Sequence, residues 1–288
     1  MSPQRTEIAA AAPPPPRPGL ASAAARAIKA FPTLLRVGIS EVVAYRAEFV
    51  VWILTTNMPL VMLAIWRAVA ADGPVGRFDQ RAFTAYYLGI LAVRLLTSNW
   101  AVWQLSMEIR DGTLSAKLLR PIHPVLALAA DHLSAVPMRA LVISPVVGIL
   151  MYTGWDRLLR HDAVLGLVLA ASLAGAWFLT FFMMVLMGSL SFFLESALGI
   201  FELWLGIHAI LSGYLIPLEA LPRWMRGAAD VLPFRFMLGF PVETLVGLLD
   251  RRQALAALAA QWGYTALFAA AALAVWRLGV RRFAAYGG

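Results

Sequence analysis

The sequence predicts an all-α membrane protein, and three observations carry that prediction. Of the 288 residues, 61% are hydrophobic and only 14% are charged, with a mean hydropathy of +0.74, a balance that soluble globular domains do not show. The apolar residues gather in six stretches that are uncharged or nearly so, each close to the ~20 residues a membrane-crossing helix needs. Lys and Arg number 24 against 16 Asp and Glu, a net charge of +8, and these positive residues, nearly all arginines, flank the apolar runs. The charge therefore points to a membrane surface and not to nucleic acid. With no cysteine in the chain, disulfides, thiolate metal sites, Fe–S clusters and a cysteine nucleophile are excluded.

Residues 1–20 contain the run Pro13–Pro16 and many alanines. They lack the apolar core of a secretory signal and are expected to be a disordered cytoplasmic tail. Over 21–46, Arg26, Lys29, Arg36 and Arg46 alternate with Ile28, Phe31, Leu34, Leu35 and Val37, which suits an amphipathic helix lying in the membrane interface. Pro32 interrupts that pattern and leaves a basic linker as the alternative. A six-span region occupies 47–282, with spans at about 48–68, 82–105, 131–153, 164–188, 197–217 and 254–277. The first is fenced by Glu48 and Arg67, and the second is interrupted only by Arg94. The stretch Ala163 to Leu194 would reach about 48 Å as one helix, beyond a hydrocarbon core of about 30 Å, so a break is expected near Gly188-Ser189. Residues 283–288 are expected to be a cytoplasmic tail.

Both termini are placed in the cytoplasm. Both lysines, Lys29 and Lys117, and the pair Arg281-Arg282 then fall inside, although the arginine counts on the two sides are close to equal once the tail is set aside.

Two segments do not fit a plain bundle. Glu108 to Pro124 is hydrophilic: Asp111-Gly112 is a turn dipeptide, Thr113 is placed to cap a short helix, Leu114 and Leu118 share a face of that helix, and Pro121 stops it. Spacing alone leaves open a short rigid helix presenting leucines and basic residues, or an ordinary solvated connector. Pro217 to Arg252 holds Glu219, Arg223, Arg226, Asp230, Arg235 and Glu243, too many charges for a span, and prolines at 217, 222, 233 and 241 cut it into short pieces. Two short helices at the outer interface are expected, either as a lid over an exit or as an amphipathic loop resting on lipid.

Charges inside the spans are costly and draw attention by default. At about 1.5 Å per residue from the outer ends, Arg94 lies about 18 Å down, Arg139 about 21 Å and Glu202 about 22 Å, so three charges share one depth. Either Arg94 or Arg139 holds an anionic or zwitterionic headgroup with Glu202 as its resting partner, or the three form a buried structural ion pair. His208, in the fifth span, is read as an interhelical hydrogen bonder; His123, His132 and His161 lack metal-ligand spacing. Trp66, Tyr86, Tyr87, Trp100, Trp103, Trp155, Trp224, Trp262 and Trp276 mostly fit an aromatic belt at the membrane interfaces.

The order of these elements resembles the permease subunits of bacterial type-two ABC exporters, in particular the viologen-exporter-like branch. The resemblance rests on the block Glu108-Ile109-Arg110-Asp111-Gly112-Thr113-Leu114 with Leu118-Leu119-Arg120-Pro121, and on Gly213, Ile216-Pro217-Leu218, Leu221-Pro222, Leu232-Pro233-Phe234, Pro241 and Gly247. It implies a coupling helix at Glu108, Arg110, Asp111, Gly112, Leu114, Leu118, Leu119, Arg120 and Pro121 that receives the stroke of a separate ATPase. It also implies an outer gate of re-entrant helices carrying Gly213, Pro217, Leu218, Pro222, Trp224, Pro233, Phe234, Pro241 and Gly247. Two ATPase subunits holding ATP and Mg²⁺, a second permease, identical or related, and a bacterial inner membrane are implied with them. The chain itself is not expected to be an enzyme: a P-loop needs Gly immediately before its Lys, whereas Lys29 follows Ile28 and Lys117 follows Ala116.

Two other classes compete. An ion-coupled secondary transporter would want carboxylates at mid-membrane and matching broken helices, and only Glu202 qualifies. An intramembrane lipid-modifying enzyme would want a nucleophile and base, and neither a G-x-S-x-G elbow nor an H-E-x-x-H pair occurs.

Overall fold

A computed structural model describes residues 20–44, 57–152, 162–195 and 197–283, with side chains from residue 29 onward. The expected tail up to residue 19, residues 48–56 of the first span, Arg46, Trp155, His161 and residues 284–288 lie outside the described residues.

The chain within these bounds is helical, with one isolated bridge between Val75 and Phe78. Helix α1, Leu20–Ala44, runs through Pro32. It exposes Val37, Ile39 and Val43 and approaches its neighbour closely at Gly38, where a Cβ would stand 2.5 Å from Ser134 Oγ.

Three helical stretches are long and apolar enough to cross a membrane: Pro124–Tyr152, Ala163–Phe192 and Arg251–Arg282. Met58–Val69 (α2) and Ala197–Leu211 (α9) are apolar but shorter. Among the described residues, three of the six expected spans are thus matched by stretches of full length, and the others differ from expectation in their bounds or continuity.

The expected second span is two helices, α3 at Gln80–Thr97 and α4 at Ala101–Arg110, followed by the short α5 at Leu114–Leu118. The third begins early because Pro124 occupies the first turn of α6, Pro124–Ser134, where a missing N–H costs nothing, and His123 Nδ1 accepts from the Val125 N–H. Helix α7, Val136–Tyr152, continues directly from it. Helix α8, Ala163–Ser189, ends where the length argument put a break and passes into a 3₁₀ turn over Leu190–Phe192. Helix α9 stops at Leu211, short of 217, because the chain turns at Gly213 with φ +84. Short helices α10 (Arg223–Val231), α11 (Phe234–Met237) and α12 (Gly239–Leu245) lead to α13, Arg251–Arg282. A capping box between Asp250 and Gln253 fixes the start of α13.

The largest cluster of buried apolar residues joins α4, α8, α9 and the short helices, through Leu105, Leu179, Phe181, Phe201 and Phe240. A second gathers Phe83, Tyr86, Tyr87 and Ile90 of α3 with Tyr214, Leu238 and Val242. Several residues read as belt aromatics therefore belong to the core: Tyr86, Tyr87 and Trp276 are buried. Within this group, polar ends find protein partners: Tyr86 Oη donates to Gly213 O (2.9 Å), Tyr87 Oη to Leu215 O (2.9 Å) and Trp66 Nε1 to Leu215 O (3.0 Å). Trp100, Trp224 and Trp262 are exposed, as a belt requires.

Candidate functional site

Three places depart from plain helix packing, and each begins with a local sequence cause. The first is the break between α3 and α4. Thr97, Ser98 and Asn99 all have short polar side chains that compete for nearby backbone groups. Thr97 Oγ1 donates to Val93 O (2.9 Å), and Asn99 Oδ1 accepts from Ala101 N–H (3.4 Å). Ser98 is extended at φ −65, ψ 143, so the helix stops within what is otherwise an apolar run. A backbone carbonyl freed in this way needs a new partner, and Arg139 Nη1 supplies one by donating to Ser98 O.

Arg139 is buried and is occupied in this role. The Arg94 guanidinium carbon instead lies 4.6 Å from the ring centre of Tyr214, a cation–π contact. Glu202 is exposed, whereas Phe201, Trp204 and His208 of the same helix are buried. The three charges expected to meet do not: among the described residues, none has an ion-pair partner. Helix phase turns Glu202 away from the side of α9 that carries Phe201, Trp204 and His208 to the break. Beside the break lies a cavity of about 170 Å³ lined by Arg94, Asn99, Trp100, Trp103, Trp204 and His208, among others.

The second place is the Glu108–Pro121 turn. Gly112 takes φ +72, a left-handed conformation that favours glycine. Ser115 Oγ donates to Gly112 O (2.6 Å), Lys117 pairs with Glu108, and Arg110 donates to the carbonyl of Glu195. Thr113 makes no side-chain cap, so the expected capping role is taken by other contacts. Leu114 is fully buried and Leu118 packs against the core, so these two leucines anchor the turn and are not presented outward. Leu119 is 88% exposed, beside exposed Asp111, Arg120 and Pro121.

The third is the proline segment. Pro217, Pro222 and Pro233 each stand at the N-terminal boundary of a short helix, and Pro241 lies in the first turn of α12. The expected two helices are three, with a 3₁₀ turn at Leu218–Ala220. Leu218, Phe234 and Pro241 are buried, Trp224 is exposed, and Gly247 ends α12 with its N–H bonded to Thr244 O (3.3 Å). At Gly213 a Cβ would also fall 2.5 Å from Tyr86 Oη, so both φ and space demand glycine.

Sequence reasoning counted the charges of this segment without pairing them. Arg235 donates to Glu243 Oε2 from Nη2 (2.7 Å) and Nε (3.1 Å) and pairs with Asp230, while Arg77, ahead of α3, pairs with Glu219. Burial works against the Arg235 charge, but the carboxylates of Glu243 and Asp230 outweigh it and hold its pKa above the ordinary value. Burial raises that of Glu243 against the pull of Arg235.

Among the described residues no group of three or more His, Cys, Asp or Glu is placed to hold a metal ion. The profile of a family described as ABC-2 family transporter protein matches residues 80–287, more than half of the chain. Searches of curated proteins and of solved structures gave no match.

Proposed function

The chain belongs to the ABC-2 family of transporter proteins, and from that membership we propose that it is the membrane-spanning permease of an ATP-driven exporter, powered by a separate ATPase. Two ATPase subunits carry ATP and Mg²⁺, and a second permease, identical or related, completes the path. On this reading residues 47–282 cross a bacterial inner membrane six times with both termini inside, α1 lies along the cytoplasmic surface, and the proline segment closes the outer end. The order of its motifs supports the viologen-exporter-like branch within that reading.

One observation carries the coupling part of this reading. The Glu108–Pro121 turn is held on both sides, by Lys117–Glu108 within it and by Arg110 to the Glu195 carbonyl across it, yet leaves Leu119 exposed. A rigid mount with an apolar tip suits transmission of a push from a docked protein. Glu202 supports the second permease, because an exposed carboxylate at mid-span is costly against lipid and is relieved by a protein neighbour.

Since the chain has no cysteine, Leu119→Cys introduces a unique thiol. Cross-linking in native membranes is expected to join it to an ABC ATPase, whereas Leu167→Cys, at a position 71% exposed on α8, is not. Failure of Leu119→Cys to capture any ATPase while the protein remains folded would remove the coupling assignment.

A further inference from the structure

The cavity at the α3–α4 break carries charge of one sign only. Among the described residues its lining includes Arg94 but no Asp or Glu. Three of its lining residues each carry a buried side-chain donor with no hydrogen-bond partner among the described residues: Arg94 Nε, Asn99 Nδ2 and Trp204 Nε1. Asn99 is 3% exposed and Trp204 7%, so neither is turned out to bulk solvent. All three atoms can only donate, and a group that satisfies them together must accept. Tyr214 covers one face of the Arg94 guanidinium, which leaves its charge unneutralised in apolar surroundings.

The rest of the wall is aromatic. Trp103 meets Phe201 edge to face at 4.7 Å between ring centres, and Phe201 stacks on Trp204 at 5.5 Å. Such a box alone would also suit a planar organic cation, but Arg94 repels one in the low dielectric of the site. A volume of about 170 Å³ admits a head group and a ring, less than drug-sized pockets hold.

We propose that this cavity binds an amphipathic organic anion, with a carboxylate, sulfonate or phosphate head on Arg94, Asn99 and Trp204 and a flat apolar body against Trp103 and Phe201. Its role as transported substrate rests on the permease reading, whereas binding itself is a property of the chain alone.

The test uses the purified full chain in nanodiscs of zwitterionic lipid, titrated with 2-naphthoate and with its opposite-charge counterpart, 2-naphthyltrimethylammonium, read by tryptophan quenching. Naphthoate is expected to bind saturably and the ammonium compound not. Arg94→Gln is expected to weaken naphthoate by about tenfold or more, the scale of a lost charged hydrogen bond, with Arg94→Lys retaining part of the affinity. Asn99→Ala gives a second readout should Arg94→Gln fail to fold, with a severalfold loss expected. Equal binding by the wild type and both variants, or tighter binding of the ammonium compound, overturns the proposal.

Mass spectrometry of co-purified lipid separates the sources of the anion: a phospholipid retained by wild type and lost in Arg94→Gln makes the head a lipid phosphate, and none retained makes it a free solute. Naphthoate binding with no ATPase partner found would leave the site standing and remove the permease reading. A coupled ATPase with no anion binding would do the reverse.

Discussion

Arg139 donates from Nη1 to the carbonyl of Ser98, so one helix supplies the hydrogen bond that a break in its neighbour leaves open. Removing the donor should cost about 1–3 kcal/mol, the penalty of a buried carbonyl left unsatisfied. Arg139→Leu is therefore expected to unfold at lower temperature in nanodiscs, and Arg139→Gln, which keeps an amide donor, to recover part of the loss. Equal losses in the two variants would count against the hydrogen bond as the cause.

Gln261 and Gly175 lock α13 against α8. Gln261 Nε2 donates to Ser172 O (2.9 Å) and Phe236 O (2.8 Å), and a Cβ on Gly175 would stand 2.6 Å from Gln261 Oε1. Gly175→Ala is expected to destabilise by about 1–3 kcal/mol through overpacking, although alanine favours a helix by up to ~1 kcal/mol. In a Gln261→Ala background the sign should reverse, because only the helix preference remains. A Gly175→Ala change that destabilises equally in both backgrounds contradicts this packing account.

Leu114 and Leu119 share one short turn and should behave oppositely. Leu114 is fully buried, so Leu114→Ala is expected to cost about 2–5 kcal/mol of stability. Leu119 is 88% exposed, so Leu119→Asp should change stability by no more than about 0.5 kcal/mol while abolishing stimulation of the partner ATPase. Wild-type stimulation in Leu119→Asp would exclude this residue from docking.

Two ion pairs of the proline segment, Arg235–Glu243 and Arg77–Glu219, differ in burial. Arg235 and Glu243 have side chains 20% and 8% exposed, against 61% and 33% for Arg77 and Glu219. Arg235→Ala leaves a buried carboxylate without its main cation and should cost about 3–5 kcal/mol. Arg77→Ala should cost no more than ~1 kcal/mol. Thermal unfolding of the two variants side by side decides, and the reverse order would refute the assignment.

Composition and apolar runs were enough to read an all-helical membrane chain, and the excess length of Ala163 to Leu194 marked the end of α8 at Ser189. Local signals also served where they act locally, as in the glycine turn at Gly112 and the proline-bounded short helices. The α3–α4 break was legible in principle: Thr97, Ser98 and Asn99 are three consecutive backbone competitors inside an apolar run. Depth counting placed Arg94, Arg139 and Glu202 at one level but carried no information on helix phase, which turns Glu202 away. Belt aromatics and core aromatics share one composition, so only tertiary contacts distinguish Tyr86, bonded to Gly213, from Trp262 on the surface. Pairings such as Arg77 with Glu219 join residues far apart in sequence, and no spacing rule reaches them.

The central claim is that this chain moves a substrate with energy released on another polypeptide. Its most direct test is ATP hydrolysis by the purified chain, by its ABC ATPase and by the two reconstituted together. Activity absent from the chain alone, and stimulated only in the complex, is the predicted result. Robust hydrolysis by the isolated chain, or a complex no more active than its ATPase alone, would contradict the account.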